Sequence, residues 1–427
     1  MSLKYPLPRG TRDILPEEMP YWHHVEDTAR SIFSAYNYQE IRTPIFELTE
    51  LFERGIGDGT DIVEKEMYTF TDKGERRLTL RPEGTAPIAR AYLQNGLGKK
   101  EPQSKLYYCG PMFRYERPQA GRYRQFYQIG VENIGNEHPF ADAELISMGV
   151  HLFDEMGISR LSVSLNSVGC MVCRPVIEER LKQFLGSNLK HMCEDCNRRF
   201  SVNPLRILDC KNATCKTYRT AIPDIQESLC HGCSDHFSSV VEYIEALGIP
   251  FQINPQLVRG LDYYTRTAFE IVSDQLGAQN ALCGGGRYDG LIQHLGGQAT
   301  PAVGFAFGVD RAVMILKELS DILKQKSKLI YVAPIGAPQQ PRCFYLVDTL
   351  RRAGFKVEID YSKDDIKYQL KQANKLGATL CIIYGDREFE SNTVIIKNMH
   401  TAEQTTLPFD NVISFLSTHA DTLPHTS

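Results

Sequence analysis

Short β-type runs follow one another through the first third of the 427-residue chain, with no long helical pattern between them. They occupy residues 66–70, 77–80, 105–109 and 124–134. Parallel neighbours need a crossover of about a dozen residues or more, so this spacing predicts an antiparallel sheet. Apolar residues at helical spacing predict helices at 17–36 and 139–156. The expected fold class of this part of the chain is therefore α+β.

The end of the chain follows a different pattern. From residue 329 onwards, apolar strands alternate with helical stretches, which predicts a small α/β domain with a largely parallel sheet. A polar connector, DILKQKSK, precedes this domain. Upstream of the connector, a strand pattern at 257–272 leads into the glycine-rich segment CGGGRYDG. We interpret that segment as a turn, whose glycines would also let the backbone approach a ligand closely.

Cysteines set the middle of the chain apart. Eight of the 12 cysteines lie within residues 170–233, which predicts an inserted module at 170–250. Paired thiolates at CxxC spacing suit a tetrahedral Zn²⁺ site, and a module with little core gains from such a staple. The ligands that we favour are Cys193, Cys196, Cys230 and Cys233. We interpret Cys170 and Cys173 as buried thiols at a strand end, and unliganded cysteines remain an equal alternative for the whole cluster.

These boundaries divide the chain into three units. The first domain is split into parts at 1–169 and 251–322, the insertion occupies 170–250, and the last domain occupies 328–427. The net charge of −4 excludes a globally basic nucleic-acid coat protein, and we expect no DNA partner. No apolar run reaches about 18 residues, and the N-terminus lacks the apolar region of a signal peptide. We therefore expect a cytoplasmic protein without a membrane partner.

Arginines alternate with aromatic residues in the segment FRYERPQAGRYRQFYQIGVE at 113–132. Guanidinium groups pair bidentately with phosphate oxygens, and aromatic rings can stack on a flat base. The segment is therefore suited to hold a nucleoside polyphosphate. A solvated hairpin with surface arginines explains this segment, taken by itself, equally well.

Three other segments carry groups that suit a small charged substrate. LRPEGTAPIAR places Glu83 and Thr85 on a loop after a strand, where they could hold an ammonium group. VRGLDYYT sets Arg259 beside two tyrosines, and GFAFGVDRAVMI places Arg311 at the start of a helix. Together with 113–132, these segments resemble the motifs of class II aminoacyl-tRNA synthetases. RGLDYYT resembles the histidyl-tRNA synthetase family, of the bacterial type, in particular.

The resemblance implies a fold and a reaction. The fold would be a class II antiparallel-sheet catalytic domain with an insertion, followed by a C-terminal α/β anticodon-binding domain. The reaction would join L-histidine to ATP as histidyl-adenylate, with Mg²⁺, and then transfer the histidyl group to the 3′ end of tRNA(His). The family also implies a homodimer, with Pro44 of the first class II motif at its interface.

The resemblance assigns roles residue by residue. The implied catalytic residues are Arg114, Arg259 and Arg311. ATP would be bound by Arg114, Glu116, Arg122 and Arg311. Histidine would be bound by Glu83, Thr85, Gln128, Glu132, Tyr263 and Tyr264. Because adjacent residues on a strand face opposite ways, Tyr264 is preferred over Tyr263 as the pocket residue.

Three alternative functions are compared with this one. A non-catalytic synthetase-like regulatory subunit of histidine biosynthesis would lack the anticodon domain and the ATP-binding arginines, which this chain retains. Another class II synthetase, of the threonyl or prolyl type, would lack RGLDYYT. A pure RNA-binding module would not need a complete ATP site. Since residues 328–427 contain 11 basic and 11 acidic residues, we expect anticodon readout through local contacts to unstacked bases.

Overall fold

The structure, a computed structural model, describes residues 5–57, 59–118, 121–222, 224–274, 281–319, 328–336 and 339–419. The chain forms two compact units, Met1–Ser320 and Asp321–Ser427. Of the predicted connector at 321–328, only Lys328 lies within the described residues. No helix in the described ranges combines the length and the apolar character needed to cross a bilayer.

The first unit contains strands β1 to β11. They are β1 (Gln39–Glu40), β2 (Phe46–Leu48), β3 (Tyr68–Thr71), β4 (Arg77–Leu80), β5 (Ser104–Phe113), β6 (Gln125–Ile134), β7 (Leu161–Ser167), β8 (Phe251–Ile253), β9 (Thr265–Ser273), β10 (Ala281–Arg287) and β11 (Ala302–Gly308). Eight strands form one sheet in the order β1-β5-β6-β11-β10-β9-β7-β8. The six inner strands pair antiparallel, which confirms the predicted antiparallel sheet.

Helices α1 to α11 surround this sheet and form the insertion. They are α1 (Met19–Ala35), α2 (Thr49–Ile56), α3 (Thr85–Gln94), α4 (Leu97–Lys100), α5 (Pro139–Glu155), α6 (Cys173–Leu185), α7 (Glu194–Val202), α8 (Ala213–Thr220), α9 (His231–Ala246), α10 (Leu291–His294) and α11 (Val309–Leu319). Helices α1, α5 and α11 belong to the largest apolar core, which includes Trp22, Phe153 and Phe305. A second core around Tyr108 and Tyr288 joins α3 and α10 to the strands that carry the site.

Two local predictions about the first unit are wrong. Residues 257–264 form a loop, and β9 begins only at Thr265. Gly284, Gly285 and Gly286 of CGGGRYDG lie on β10, in the interior of the sheet, and only Gly290 lies in a turn. A Cβ on Gly285 would lie 2.4 Å from the carbonyl oxygen of Gly304 on β11, so close packing of neighbouring strands explains that glycine.

The second unit contains strands β12 (Ile330–Pro334), β13 (Val357–Ile359), β14 (Leu380–Tyr384), β15 (Thr393–Asn398) and β16 (Gln404–Pro408) and helices α12 (Gln340–Arg352), α13 (Ile366–Lys375), α14 (Asp386–Ser391) and α15 (Val412–His419). The sheet order is β13-β12-β14-β15-β16. The first three strands are parallel, but β15 and β16 are antiparallel, so the predicted largely parallel sheet is mixed. The connections of the last two strands are too short for parallel crossovers.

Candidate active site

A cavity of about 610 Å³ lies against β6, β10 and β11 of the large sheet. Its walls include every residue that the sequence assigned to histidine, and also two of the three predicted catalytic arginines. These residues are Glu83, Thr85, Gln128, Glu132, Tyr263, Tyr264, Arg114 and Arg259. Three separate segments of the sequence therefore meet in one cavity, which we call the sheet cavity.

Glu132 is the buried acid at the centre of the sheet cavity. Its Oε1 accepts a hydrogen bond of 2.7 Å from the Thr85 hydroxyl, and its Oε2 accepts one from the Tyr288 hydroxyl. Burial raises the pKa of Glu132 to about 8, although both hydrogen bonds oppose the shift. A Cβ on Gly304, the cross-strand neighbour, would lie 2.0 Å from Oε2. The carboxyl group therefore fits only because β11 has a glycine at this position.

Glu83 lies on the predicted loop, two residues before α3 begins at Thr85. Its carboxylate accepts hydrogen bonds from the backbone N–H groups of Thr85 and Ala86, at 2.7 and 2.8 Å. Burial raises the pKa of Glu83, and these backbone bonds limit the rise. A carboxylate oxygen has two acceptor sites, so each oxygen can still accept a hydrogen bond from a ligand. The group both caps the helix and faces the cavity.

Gln128 supplies a further acceptor. It lies four residues before Glu132 on β6, and side chains an even number of positions apart share one face of a strand. Its Oε1 is buried and has no hydrogen-bond partner within the described part of the chain. A buried polar atom without a partner is costly, so this oxygen is prepared for a donor that arrives with a ligand.

Tyrosines form the opposite wall. The rings of Tyr263 and Tyr264 are 4.8 Å apart, and the ring of Tyr288 packs edge-on at 5.6 Å from Tyr263. Both tyrosines of RGLDYYT line the cavity, so its geometry gives no reason to prefer Tyr264 over Tyr263. The rule of alternating faces did not apply because these residues lie on a loop.

Arg259 crosses the floor of the cavity from the same loop. Its Nη1 forms an ion pair with Glu270 on β9, and its guanidinium passes over Gly284, the partner of Glu270 on β10. A Cβ on Gly284 would lie 1.9 Å from Nη2 of Arg259. The glycine at this position therefore makes room for an arginine of the protein itself. From the sequence, we expected the glycines to let the backbone approach a ligand.

A second cavity, of about 1530 Å³, adjoins the first and shares Ile62, Arg114 and Gly260 with it. Its walls also carry Glu116 and Arg122, from the loop between β5 and β6. We call it the outer cavity. Three predicted ATP-binding residues, Arg114, Glu116 and Arg122, therefore line one space beside the sheet cavity.

The aromatic residues of this loop are used differently from the prediction. The guanidinium of Arg124 lies 3.7 Å from the ring centre of Tyr115, and that of Arg114 lies 5.3 Å from the ring centre of Phe126. These rings therefore pack against arginines of the loop itself.

Arg311 lies in the first turn of α11, where burial and then the nearby charge of Arg122 lower its pKa. Two guanidinium groups held near each other favour an anion between them.

Two site residues were missed from the sequence. Tyr288 donates a hydrogen bond to Glu132, and Glu270 forms an ion pair with Arg259, although no role was assigned to either residue from the sequence. Tyr288 stands within CGGGRYDG, so the glycine run that precedes it was the available signal. No local pattern marks Glu270, since it is identified only by its pairing with Gly284 across the sheet.

The predicted zinc ligands belong to two different groups of cysteines. One group consists of Cys170, Cys173, Cys230 and Cys233, and the other of Cys193, Cys196, Cys210 and Cys215. The prediction of one site from Cys193, Cys196, Cys230 and Cys233 is therefore wrong. Cys170 and Cys173 are members of a cluster and not isolated thiols. The CxxC pairs Cys170–Cys173 and Cys230–Cys233 lie together in one group. The third, Cys193–Cys196, lies with Cys210 and Cys215 in the other.

Family models and relatives agree along nearly the whole chain. The model described as histidyl-tRNA synthetase matches residues 10–312, and one described as an anticodon binding domain matches residues 329–419. A histidine–tRNA ligase of Halothermothrix orenii is 49% identical over 407 residues, which are 95% of this chain and 97% of that protein. One of Geobacter metallireducens is 48% identical over 402 residues, 94% and 97% of the two chains.

Solved structures give the same result. The crystal structure of apo S. aureus histidyl-tRNA synthetase superposes with a TM-score of 0.81 at 38% identity, over 96% of this chain and 99% of that chain. A Bacillus halodurans structure described as an ATP phosphoribosyltransferase regulatory subunit/histidyl-tRNA synthetase has a TM-score of 0.64 at 22% identity, over 90% and 99%, and shows a shared fold alone. The chain belongs to the histidyl-tRNA synthetase family, with a class II antiparallel-sheet catalytic domain and a C-terminal anticodon-binding domain.

Proposed function

We propose that this chain activates L-histidine with ATP, forming histidyl-adenylate and pyrophosphate, and then transfers the histidyl group to the 3′ end of tRNA(His). The observation that carries the proposal is the sheet cavity, where acceptors for a cationic amino acid lie beside Arg114 and Arg259. In this assignment Glu83, Thr85 and Gln128 hold the amino group. Glu132 and the tyrosine wall enclose the imidazole, whose two ring nitrogens need an acceptor and a donor.

The first step needs positioning more than proton transfer. A carboxylate is already a nucleophile, so its attack on the α-phosphate requires no general base. Catalysis then consists of holding the two reactants together and neutralising the phosphate charge. Arg259, between the two substrates, would contact the histidine carboxylate and the α-phosphate. Arg114 would contact the same phosphate, while Arg122 and Arg311 would hold the outer phosphates.

Mg²⁺ would enter with ATP, in the outer cavity. That cavity presents the carboxylates of Asp61, Glu66 and Glu116, and hard oxygen ligands are those that Mg²⁺ prefers. Burial, followed by the nearby charge of Glu116, raises the pKa of Glu66, and the charges of Arg114 and Arg122 oppose this rise. When bound, the ion would neutralise charge on the phosphates. The adenine and phosphates would be positioned by Arg114, Glu116, Arg122 and Arg311.

The transfer step requires tRNA(His), and the second unit would contact its anticodon. Phe344 and Tyr345 on α12 and Phe389 on α14 are exposed large aromatic side chains. Such rings can stack on the unpaired bases of an anticodon loop, which suits a domain without an excess of basic residues. Because both ATP and tRNA are cytoplasmic substrates, we propose that the protein acts in the cytoplasm.

Amino-acid-dependent pyrophosphate–ATP exchange tests the assignment. We expect exchange with histidine and none with the other standard amino acids, because the buried polar atoms of the sheet cavity would be left unpaired by an apolar side chain. The assay compares each amino acid at equal concentration. Exchange with a different amino acid and none with histidine would refute the proposal, whereas no exchange at all would favour a regulatory function.

We also propose that the protein is a homodimer through the small sheet β2-β4-β3. This sheet leaves Ile45, Phe46, Leu48 and Phe70 exposed, and the rings of Phe46 and Phe70 are 6.4 Å apart. Exposed Pro44 lies two residues before β2. A contiguous apolar patch of this kind marks an interaction surface, and a second copy of the chain is the partner that the family implies.

Phe46→Glu is expected to weaken the dimer by roughly 100-fold or more, because two-fold symmetry would bury an unpaired carboxylate from each copy. Sedimentation velocity at micromolar protein measures the monomer fraction. Phe344→Glu makes the same change at an exposed phenylalanine of the second unit and should leave the dimer intact. If both variants remain dimeric, the interface lies elsewhere.

A further inference from the structure

Eight cysteines of the insertion form two separate clusters. Cys170, Cys173, Cys230 and Cys233 form the junction cluster, which joins the two ends of the insertion. Cys193, Cys196, Cys210 and Cys215 form the inner cluster. In each cluster the four sulfur atoms lie within 4.8 Å of one another. Chance packing of small thiols rarely brings four sulfurs together, and here it would have to do so twice.

The sulfur spacing fits one tetrahedral ion in each cluster. Zn–S bonds of about 2.3 Å at tetrahedral angles place the sulfurs roughly 3.8 Å apart. The Sγ atom of Cys170 lies 3.8 Å from that of Cys173 and 3.9 Å from that of Cys230. The Sγ atoms of Cys193 and Cys210 are 3.8 Å apart. A disulfide would require about 2.05 Å. All of these cysteines are free, so the clusters are sets of thiols at metal-binding distance.

Both clusters are built in the same way at the start of a helix. Cys193 precedes α7 and Cys230 precedes α9, so the second cysteine of each CxxC pair lies in the first helical turn. The N–H of Cys230 donates to Sγ of Cys173 at 3.1 Å, and the N–H of Cys193 donates to Sγ of Cys215 at 3.3 Å. Backbone donors and a helix N-terminus both stabilise the thiolates that a metal requires.

The inner part of the insertion has few other means of stabilisation. Its core contains six buried residues, and three of them are cysteines: Leu185, Met192, Cys196, Ile207, Cys210 and Cys215. So little apolar burial does not suffice for a stable module, whereas metal binding can contribute folding free energy directly. A closed tetrahedral site of four thiolates is typical of structural zinc, and iron is the other metal that such a site binds.

We propose that the chain binds two structural Zn²⁺ ions, one in the junction cluster and one in the inner cluster. The junction ion fixes the start of α6, where Arg174 donates to the carbonyl oxygen of Asp262 at 3.0 Å on the loop of Arg259. The inner ion fixes Cys193 and Cys210, which line the outer cavity. The two ions therefore stabilise different walls of the site and take no part in the chemistry.

Metal content of the full-length protein, purified without chelators and in reductant, tests the proposal. Elemental analysis should find two zinc ions per chain. Cys170→Ser/Cys173→Ser and Cys210→Ser/Cys215→Ser should each contain one. Cys343→Ser/Cys381→Ser changes two cysteines outside the clusters and should retain two.

The second of these double variants separates the two possible ligand sets. A single mixed site of Cys193, Cys196, Cys230 and Cys233 would give one zinc ion in the wild-type protein and the same content when Cys210 and Cys215 are replaced, whereas two sites give two ions and then one. Equal zinc content in the wild-type protein and this variant would therefore overturn the proposal. No zinc in the wild-type protein, even after addition of Zn²⁺ under reducing conditions, would also overturn it. So would stoichiometric iron in place of zinc.

A measurement on the wild-type protein covers the case in which a variant does not fold. Stepwise modification of the thiols with an organomercurial, with a zinc-sensitive dye present, should release two zinc ions as eight thiols react. Reaction of the same thiols without any zinc release would refute both sites. Replacement of Zn²⁺ by Co²⁺ should give the visible absorption of a tetrahedral tetrathiolate complex with two ions bound.

Discussion

Arg259→Ala is expected to lower histidine-dependent pyrophosphate–ATP exchange by about 10²–10³-fold, with most of the loss in kcat. This magnitude is typical for the removal of one group that stabilises charge in the transition state. Arg259 lines the sheet cavity, and its neighbour Gly260 lines both cavities, so we expect the guanidinium to reach both substrates. Arg259→Lys keeps the charge but loses the planar fork, and should recover only part of the rate.

A substitution beside the arginine provides a matched test of its position. In Gly284→Ala the added methyl group would lie about 2 Å from the guanidinium, which must then move. The rate should fall as it does for Arg259→Ala, while Arg160→Ala, outside both cavities, should leave it unchanged. Circular dichroism and sedimentation serve as controls that check whether each variant remains folded. Normal exchange by folded Arg259→Ala would exclude the assigned role.

Glu132→Gln is expected to nearly abolish histidine activation while it stabilises the ligand-free protein. The carboxyl group is buried, and its pKa of about 8 means that ionisation is unfavourable in the empty cavity. A bound imidazole and ammonium group favour the ionised form. The KM for histidine should therefore fall as the pH rises towards 8 in the wild-type protein. The variant should lack this part of the pH dependence and retain only that of histidine itself.

The stability effect has a definite sign. The unfolded carboxyl group titrates near pH 4.3, so the folded state binds more protons between about pH 4 and 8, and wild-type stability falls across this range. Glu132→Gln has no carboxyl group at this position, so its stability does not fall in this way as the pH rises. Its gain should approach about 5 kcal/mol at pH 8 and should disappear below about pH 4. Thermal melts at several pH values measure the difference. A variant that is less stable at pH 8 would contradict the assigned pKa.

Most residues that we assign to histidine binding could be predicted from the sequence, because they lie in specific motifs. Glu83, Gln128, Glu132 and Arg259 each belong to such a motif, and all four line one cavity. The antiparallel sheet was also predictable, because short strands without crossovers allow few other arrangements. These features depend on local sequence, which a single chain displays directly.

The remaining features depend on contacts between distant segments. The loop at 257–264 has the alternation of a strand, but Asp262 is held by α2 and by the insertion, through its bonds to the Ile56 carbonyl and to Asn203. The pairing of the cysteines could not be deduced from their spacing, since three CxxC pairs are equivalent until the chain is folded. The ion pair of Glu270 with Arg259 follows from strand register across the sheet, which no local pattern contains.

Gly284 and Gly304 have a consequence for attempts to redesign the site. They leave space for Arg259 and Glu132, so the dimensions of the cavity floor are set by main-chain atoms. Engineering usually enlarges a pocket by trimming side chains, and here nothing remains to be trimmed. Room for a bulkier amino acid would have to come from the tyrosine wall, where Tyr288 also donates a hydrogen bond to Glu132. Broader substrate acceptance and loss of activation are therefore coupled, which makes this pocket a difficult starting point for charging tRNA with non-natural amino acids.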